Sequence, residues 1–185
     1  MKKTDHPLQF QIETCSDHIT QLTSLINQAY RGKEGLNRWT TEHHLVKGQR
    51  IHEHQLMECI LDVDTILYSA WRSQELAGCI CLKPVNGDTI EFGTFAVSPS
   101  LHGHGLGSSL LEYAERQASK HYRYFQVCVV SLNQNLIAFY QRRGYQITGD
   151  TLPYPVHAEV GIPMHEDTTL TLLKKHNPLL HENVF

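Results

Sequence analysis

Residues 95 to 108 read Phe-Ala-Val-Ser-Pro-Ser-Leu-His-Gly-His-Gly-Leu-Gly-Ser, an apolar strand running into alternating glycines that open an amphipathic helix. Gly103, Gly105 and Gly107 remove side chains where a backbone must approach a ligand closely. The first N–H groups of the following helix lack intrahelical partners, and its dipole puts partial positive charge there. Strand, glycine turn and helix start together make an anion site suited to a phosphate or pyrophosphate.

Spacing excludes two phosphate-binding patterns. A nucleoside-triphosphate loop needs G-x-x-x-x-G-K-[ST], whose lysine and hydroxyl hold phosphate and magnesium, and the chain has no such run. A dinucleotide fingerprint needs G-x-G-x-x-G after an early strand, with an acidic residue about 20 positions on. Here the glycines are spaced differently and follow several antiparallel strands.

The elements that must hold this turn are legible in the pattern. Residues 8 to 13 alternate apolar and polar as a first strand. Ser16 or Asp17 is expected to cap a helix with the stripe Ile19, Leu22, Ile26 and Ala29, ending near Gly32. Residues 31 to 38 read as a loop, Thr40 or Thr41 as the cap of a short helix, and residues 53 to 61 as a further helix. Strands are expected at 65–71, 76–82 and 89–97, with Asn86-Gly87-Asp88 as the hairpin turn before the last. A helix with the stripe Leu106, Leu110, Leu111, Ala114 and Ala118 follows, then a buried strand at 125–130. Asn133 caps a helix carrying Leu136, Ile137 and Phe139, and Gly144 is placed for a left-handed stop. Residues 145–148 begin a strand, 151–166 read as a long loop, 167–173 as a last strand, and 175–185 as a frayed tail around a core of about 8–174.

Length and composition set the frame. The 185 residues suit one α/β domain, and 41% apolar with 19% charged residues excludes wholesale disorder. A formal charge of −3 argues against broad nucleic-acid binding, leaving at most a local basic patch at Lys120, Arg123, Arg142 and Arg143. No apolar run reaches the roughly 18 residues of a membrane span, and no apolar segment follows Lys2-Lys3 as in a secretory leader. The 5 cysteines lack framework spacing, which fits a reducing, cytoplasmic compartment. Among the 13 histidines, His43-His44 and His52-x-His54 lack the i,i+4 spacing of helix-borne metal ligands. Cys79-x-Cys81 reads as a buried pair of small apolar thiols, so no metal is expected.

From residue 89 to Tyr145 the chain resembles the GNAT acetyltransferase superfamily. Its signature [R/Q]-x-x-G-x-[G/A] maps onto His102-x-x-Gly105-x-Gly107, with histidine where the family usually has Arg or Gln. Asn133 to Tyr145 (NQNLIAFYQRRGY) resembles the family's second signature. The resemblance covers about residues 8–173, and residues 29–32 and 39–42 are similar to a bacterial subgroup of unassigned acceptor. It implies one N-acetyltransferase domain over residues 1–185, in an α/β (α+β) fold with a mixed, mostly antiparallel central sheet and helices on both faces. It further implies a cleft for acetyl-CoA between two splayed strands.

The resemblance also assigns roles. The turn Gly103, His104, Gly105, Leu106, Gly107 and Ser108, with His102, would hold the pyrophosphate. Phe95, Ala96 and Val97 would meet the pantetheine arm and acetyl group through their backbone, with the Phe95 N–H near the acetyl oxygen. Asn133 is a candidate for the pantetheine arm or simply a helix cap. Glu91 lies four residues before Phe95, so alternation places both on one face, and it is the candidate base; a salt-bridged strand carboxylate is the plain alternative. Tyr140 is the candidate acid for the leaving thiolate. Tyr30, Arg31, Trp39 and Tyr154 are candidates for the acceptor side, with Arg31 able to fork onto a carboxylate. Protonation of His102 near pH 6.5 would strengthen cofactor binding. The partners are thus acetyl-CoA and an amine, with a homodimer common in such folds; a non-catalytic acyl-CoA sensor and a longer-chain acyltransferase are the rival readings.

Overall fold

The computed structural model describes residues 7–32, 41–101 and 105–180. β1 (Leu8–Ile12), α1 (Ile19–Arg31), β2 (Val46–Lys47) and α2 (Glu53–Leu61) precede a meander of β3 (Ile66–Arg72), β4 (Glu75–Pro84) and β5 (Thr89–Val97). Then come α3 (Leu106–Ala118), β6 (Tyr124–Val130), α4 (Gln134–Gln141), β7 (Gln146–Pro153), β8 (Ile162–Pro163) and β9 (Thr169–His176). Seven strands make one sheet in the order β1-β3-β4-β5-β6-β9-β7, and β2 pairs β8 separately. Every neighbouring pair is antiparallel except β5 and β6, so the sheet is mixed as the sequence predicts.

Helices cover both faces. Leu22, Ile26, Ala29 and Leu56 from α1 and α2 bury against Cys79, Cys81 and Ala96 on one face. On the other, Leu110, Leu111, Ala114 and Phe139 from α3 and α4 bury against Phe92, Phe125 and Val127. The buried residues of α3 are Leu106, Leu110, Leu111, Ala114 and Ala118, the stripe read from the sequence. Truncating such a leucine to alanine typically costs about 2–5 kcal/mol. Cys79 and Cys81 are buried, and Cys59 from α2 brings its Sγ to 3.3 Å from that of Cys81.

The limits and caps of the elements depart from the sequence reading in four places. The N-cap of α1 is His18, not Ser16 or Asp17, and it makes no capping bond; its ring meets Glu13 Oε2 at 3.0 Å instead. Thr41 starts no helix: its hydroxyl donates to the Tyr30 and Gly32 carbonyls and the chain turns into β2, while Thr40 lies outside the described residues. β7 continues to Pro153 and β8 forms, because β9 and β2 offer backbone partners that propensity cannot foresee. Finally, residues 175–177 are not frayed. β9 runs to His176, and the buried Asn177 donates through Nδ2 to the Ser119 and Tyr122 carbonyls at 2.8 Å.

Candidate active site

β5 and β6 are paired only at Thr89↔Tyr124, Ile90↔Phe125 and Glu91↔Gln126. Beyond Glu91, β5 stays with β4 and β6 stays with β9, so the two strands part in mid-sheet. A cavity of about 540 Å³ opens at the split.

A bulge shapes the parted strand. Cys79 pairs with Ala96 but Cys81 pairs with Gly93, so one step on β4 spans an extra residue on β5. Thr94 takes φ +44°, which a β-branched residue seldom adopts. The extra residue reverses the alternation, and this corrects the expected shared face of Glu91 and Phe95. Glu91 stays on the α1 side, where its Oε2 accepts from Gln126 Nε2 at 2.8 Å and from Cys128 Sγ at 3.2 Å. Phe95 turns to the α3 and α4 side, 6.1 Å from the Phe139 ring and 6.4 Å from that of Tyr140.

The cavity therefore passes through the sheet and has a different wall on each side. On the α3 and α4 side it is lined by Phe95, Val97, Gly105, Leu106, Gly107 and Ser108. Gly105 is the N-cap of α3 at φ +67°, a conformation that glycine adopts without a steric penalty, so the exposed N–H groups of the first turn border the cavity. Arg142 and Arg143 add positive charge to the same wall; Lys120 and Arg123 are not part of it. The Arg143 guanidinium lies 3.5 Å from the Phe139 ring centroid and donates through Nη2 to Ser108 Oγ. Tyr140 is only 3% exposed, and burial with the neighbouring Tyr30 holds its phenol well above the usual range.

Two candidates for this wall lie elsewhere. Ala96 turns away and packs with α1 and α2. Asn133 caps α4, its Oδ1 accepting from the Leu136 N–H at 3.2 Å, and it is not among the residues bordering the cavity. Its Nδ2, however, is buried and has no hydrogen-bond partner among the described residues. His102, Gly103 and His104 lie outside the described residues.

On the α1 side the lining includes Tyr30, Glu42, Arg50, Glu91, Cys128 and Tyr154. Burial pushes the Tyr30 phenol up to about 12, with the Phe95 N–H acting in the opposite direction from beside it. Burial likewise raises the Glu42 carboxyl, opposed by the Arg31 charge. Arg31 is not brought to the cavity, and this corrects its expected role. Nη1 donates to Glu42 Oε2 at 2.8 Å, Nη2 to the Val160 carbonyl at 2.9 Å and Nε to the Gly48 carbonyl at 3.1 Å, so its fork is spent holding the loops together. Tyr154 takes part in the same brace, its hydroxyl donating to the Val160 carbonyl at 3.0 Å. Trp39 lies outside the described residues.

Sequence reasoning missed Thr94, Cys128 and Arg50 as cavity residues, since none stands in a recognisable pattern. Glu42 was visible only as part of the subgroup-like segment at 39–42.

A sheet of this order, split beside a parallel pair and closed by a glycine-capped helix, is an acyltransferase architecture. The model of the acetyltransferase (GNAT) family matches residues 21–145, and the chain belongs to that family. Among solved structures, a GNAT family acetyltransferase from Elizabethkingia anophelis with acetyl-CoA bound superposes with TM-score 0.63 at 18% identity, covering 94% of this chain and 99% of that one. The ribosomal-protein-S18-alanine N-acetyltransferase of Escherichia coli gives TM-score 0.68 at 15% identity, with 97% and 99% covered. An N-acetyltransferase from Staphylococcus aureus Mu50 gives 0.69 at 13%, with 92% and 97% covered. No curated protein matches the chain at a significant level. No helix among the described residues is long and apolar enough to cross a membrane.

Proposed function

We propose that this protein transfers the acetyl group of acetyl-CoA to a primary amine by direct attack in a ternary complex. The observation that carries this is the through-sheet cavity, with a cationic, amide-lined wall on one side and carboxylates on the other. The pyrophosphate would sit against Gly105 to Ser108 and Arg142–Arg143, and the pantetheine arm would run along the unpaired edge of β5 at Phe95 and Val97. Pairing with a free strand edge supplies backbone hydrogen bonds without side-chain specificity. Asn133 lies off the cavity lining, but its Nδ2 is buried without a partner among the described residues, so an arm running on toward the start of α4 would satisfy it with an amide carbonyl.

The chemistry follows from the walls. An ammonium loses its proton, through water, to Glu91 on the acceptor side. The free amine attacks the thioester carbon, and the carbonyl oxygen takes up the negative charge. The Phe95 N–H, which the bulge leaves without a register partner on β4 and which meets the Tyr30 phenol, would take up that charge; one such donor is typically worth a few kcal/mol of barrier. As the carbonyl re-forms and the C–S bond breaks, Tyr140 on the cofactor side donates its proton to the departing thiolate, and the second proton of the attacking nitrogen passes through water to restore the phenol.

Calorimetry with acetyl-CoA, followed by thiol release in an amine library, tests the proposal. Micromolar binding and amine-dependent release support it. Binding without release on any amine overturns catalysis in favour of a sensor, and faster release from butyryl- or succinyl-CoA overturns the acetyl assignment.

A further inference from the structure

On the α1 side of the cavity, among the described residues, two guanidiniums accompany one carboxylate, Glu42, and one ion pair forms. Arg31 takes Glu42. Arg50 stands over the Tyr30 ring, its guanidinium carbon 5.1 Å from the centroid, and lines the cavity. Among the described residues its guanidinium makes no hydrogen bond and no ion pair. The backbone beneath it is fixed: the Arg50 N–H donates to Asn27 Oδ1 at 2.7 Å, and Asn27 Nδ2 donates to the Ile51 carbonyl at 2.8 Å. The other carboxylate of the cavity, Glu91, already accepts from two donors on β6.

A guanidinium held over an aromatic ring at the cavity wall, with only the Glu42 carboxylate that Arg31 already pairs near it among the described residues, is better satisfied when a ligand brings a counter-charge of its own. The cofactor does not need to supply it. The phosphates have Arg142, Arg143 and the start of α3 on the opposite side of the sheet.

We propose that Arg50 is the anion-recognising residue of the acceptor site, and that the acceptor is an amine that also carries a carboxylate, of the amino-acid type. The planar fork of Arg50 takes the carboxylate bidentately, and the amine is thereby directed into the split between β5 and β6. The inference rests on the acetyl-transfer reading only for which end of the acceptor reacts.

The test compares free L-amino acids with their primary amides, which keep the amine and lose the anion. Binding is read by calorimetry and saturation-transfer NMR on the free protein and on the protein saturated with CoA. The acids are expected to bind at least tenfold more tightly than the amides. Arg50→Gln should weaken acid binding on the order of 10- to 100-fold, as for a lost charge-assisted pair. It should leave amide binding and acetyl-CoA affinity within about twofold, and Arg50→Lys should keep part of the preference. If Arg50→Gln fails to fold, the acid-to-amide ratio of the wild type and of Arg50→Lys decides. Equal binding of acids and amides, binding of neither, or a loss in Arg50→Gln that is the same for both overturns the proposal. An Arg50-dependent preference for acids without any acetyl transfer would uphold the anion site and overturn the transfer reading instead.

Discussion

Glu91 and Phe95 sit four residues apart on one strand, yet they face opposite sides of the sheet. The bulge at Thr94 separates them, and this puts a carboxylate on the α1 side while the Phe95 ring joins Tyr140 on the α3 and α4 side. A carboxylate and a phenol thus flank one opening from opposite faces, which is the arrangement the proposed two-substrate transfer would use.

Tyr140→Phe removes only the hydroxyl from a packed ring. Turnover should fall by roughly 100-fold, the lower end of the range for a general acid, with acetyl-CoA affinity within about twofold. Steady-state kinetics beside calorimetry reads both, and unchanged turnover would reduce the residue to packing.

Glu91→Gln should lower kcat/KM by roughly tenfold or more at neutral pH. The deficit should shrink as pH approaches the pKa of the acceptor amine, because more amine is then free without help. A deficit constant across the profile would mean that Glu91 positions Gln126 and Cys128 and takes no proton.

Asn133→Asp keeps the oxygen that accepts the Leu136 N–H and removes the unpartnered Nδ2. Melting temperature should hold, since the cap survives, while acetyl-CoA affinity falls about 5- to 20-fold, the loss of roughly 1–2 kcal/mol in a hydrogen bond. Asn133→Ala should lose both, with the missing cap costing about 1 kcal/mol.

Thr94→Gly relieves a positive φ that glycine tolerates. Stability should rise by about 1 kcal/mol in denaturant titrations, with the bulge and activity retained. Deleting Thr94 should restore the alternation, turn Phe95 to the α1 side and abolish acetyl-CoA binding.

Burial raises the phenols of Tyr30 (to about 12), Tyr140 and Tyr145 above the value near 10 of an unfolded tyrosine. The folded state holds these protons longer, so their contribution is intact below about pH 10 and is lost as pH climbs toward 12. Urea midpoints should be flat from pH 8 to about 9.5 and fall steeply above it. Tyr30→Phe should remove part of that fall.

The stripes of α1 and α3, the limits of α2 and β5 and the Asn133 cap were all legible, since each is fixed by neighbours a few residues away. The fate of Arg31 was not. Its partners are a carboxylate and three carbonyls, those of Tyr30, Gly48 and Val160, and Val160 is 129 positions distant along the chain. The stop of β7 was hidden for the same reason, as only β9 beside it determines how far the backbone stays paired.

By itself the sequence determined that a glycine turn opens a helix, that strands meander into it, and that Glu91, Tyr140 and Asn133 stand at telling intervals. Those are matters of local periodicity, capping and missing side chains. Only the tertiary structure decided that β5 leaves β6 after Glu91, that one extra residue turns Phe95 away from Glu91, and that Arg50 rather than Arg31 meets the cavity. Strand pairing and ion pairing join groups far apart in the chain, and an alternating pattern cannot record a bulge that the neighbouring strand imposes.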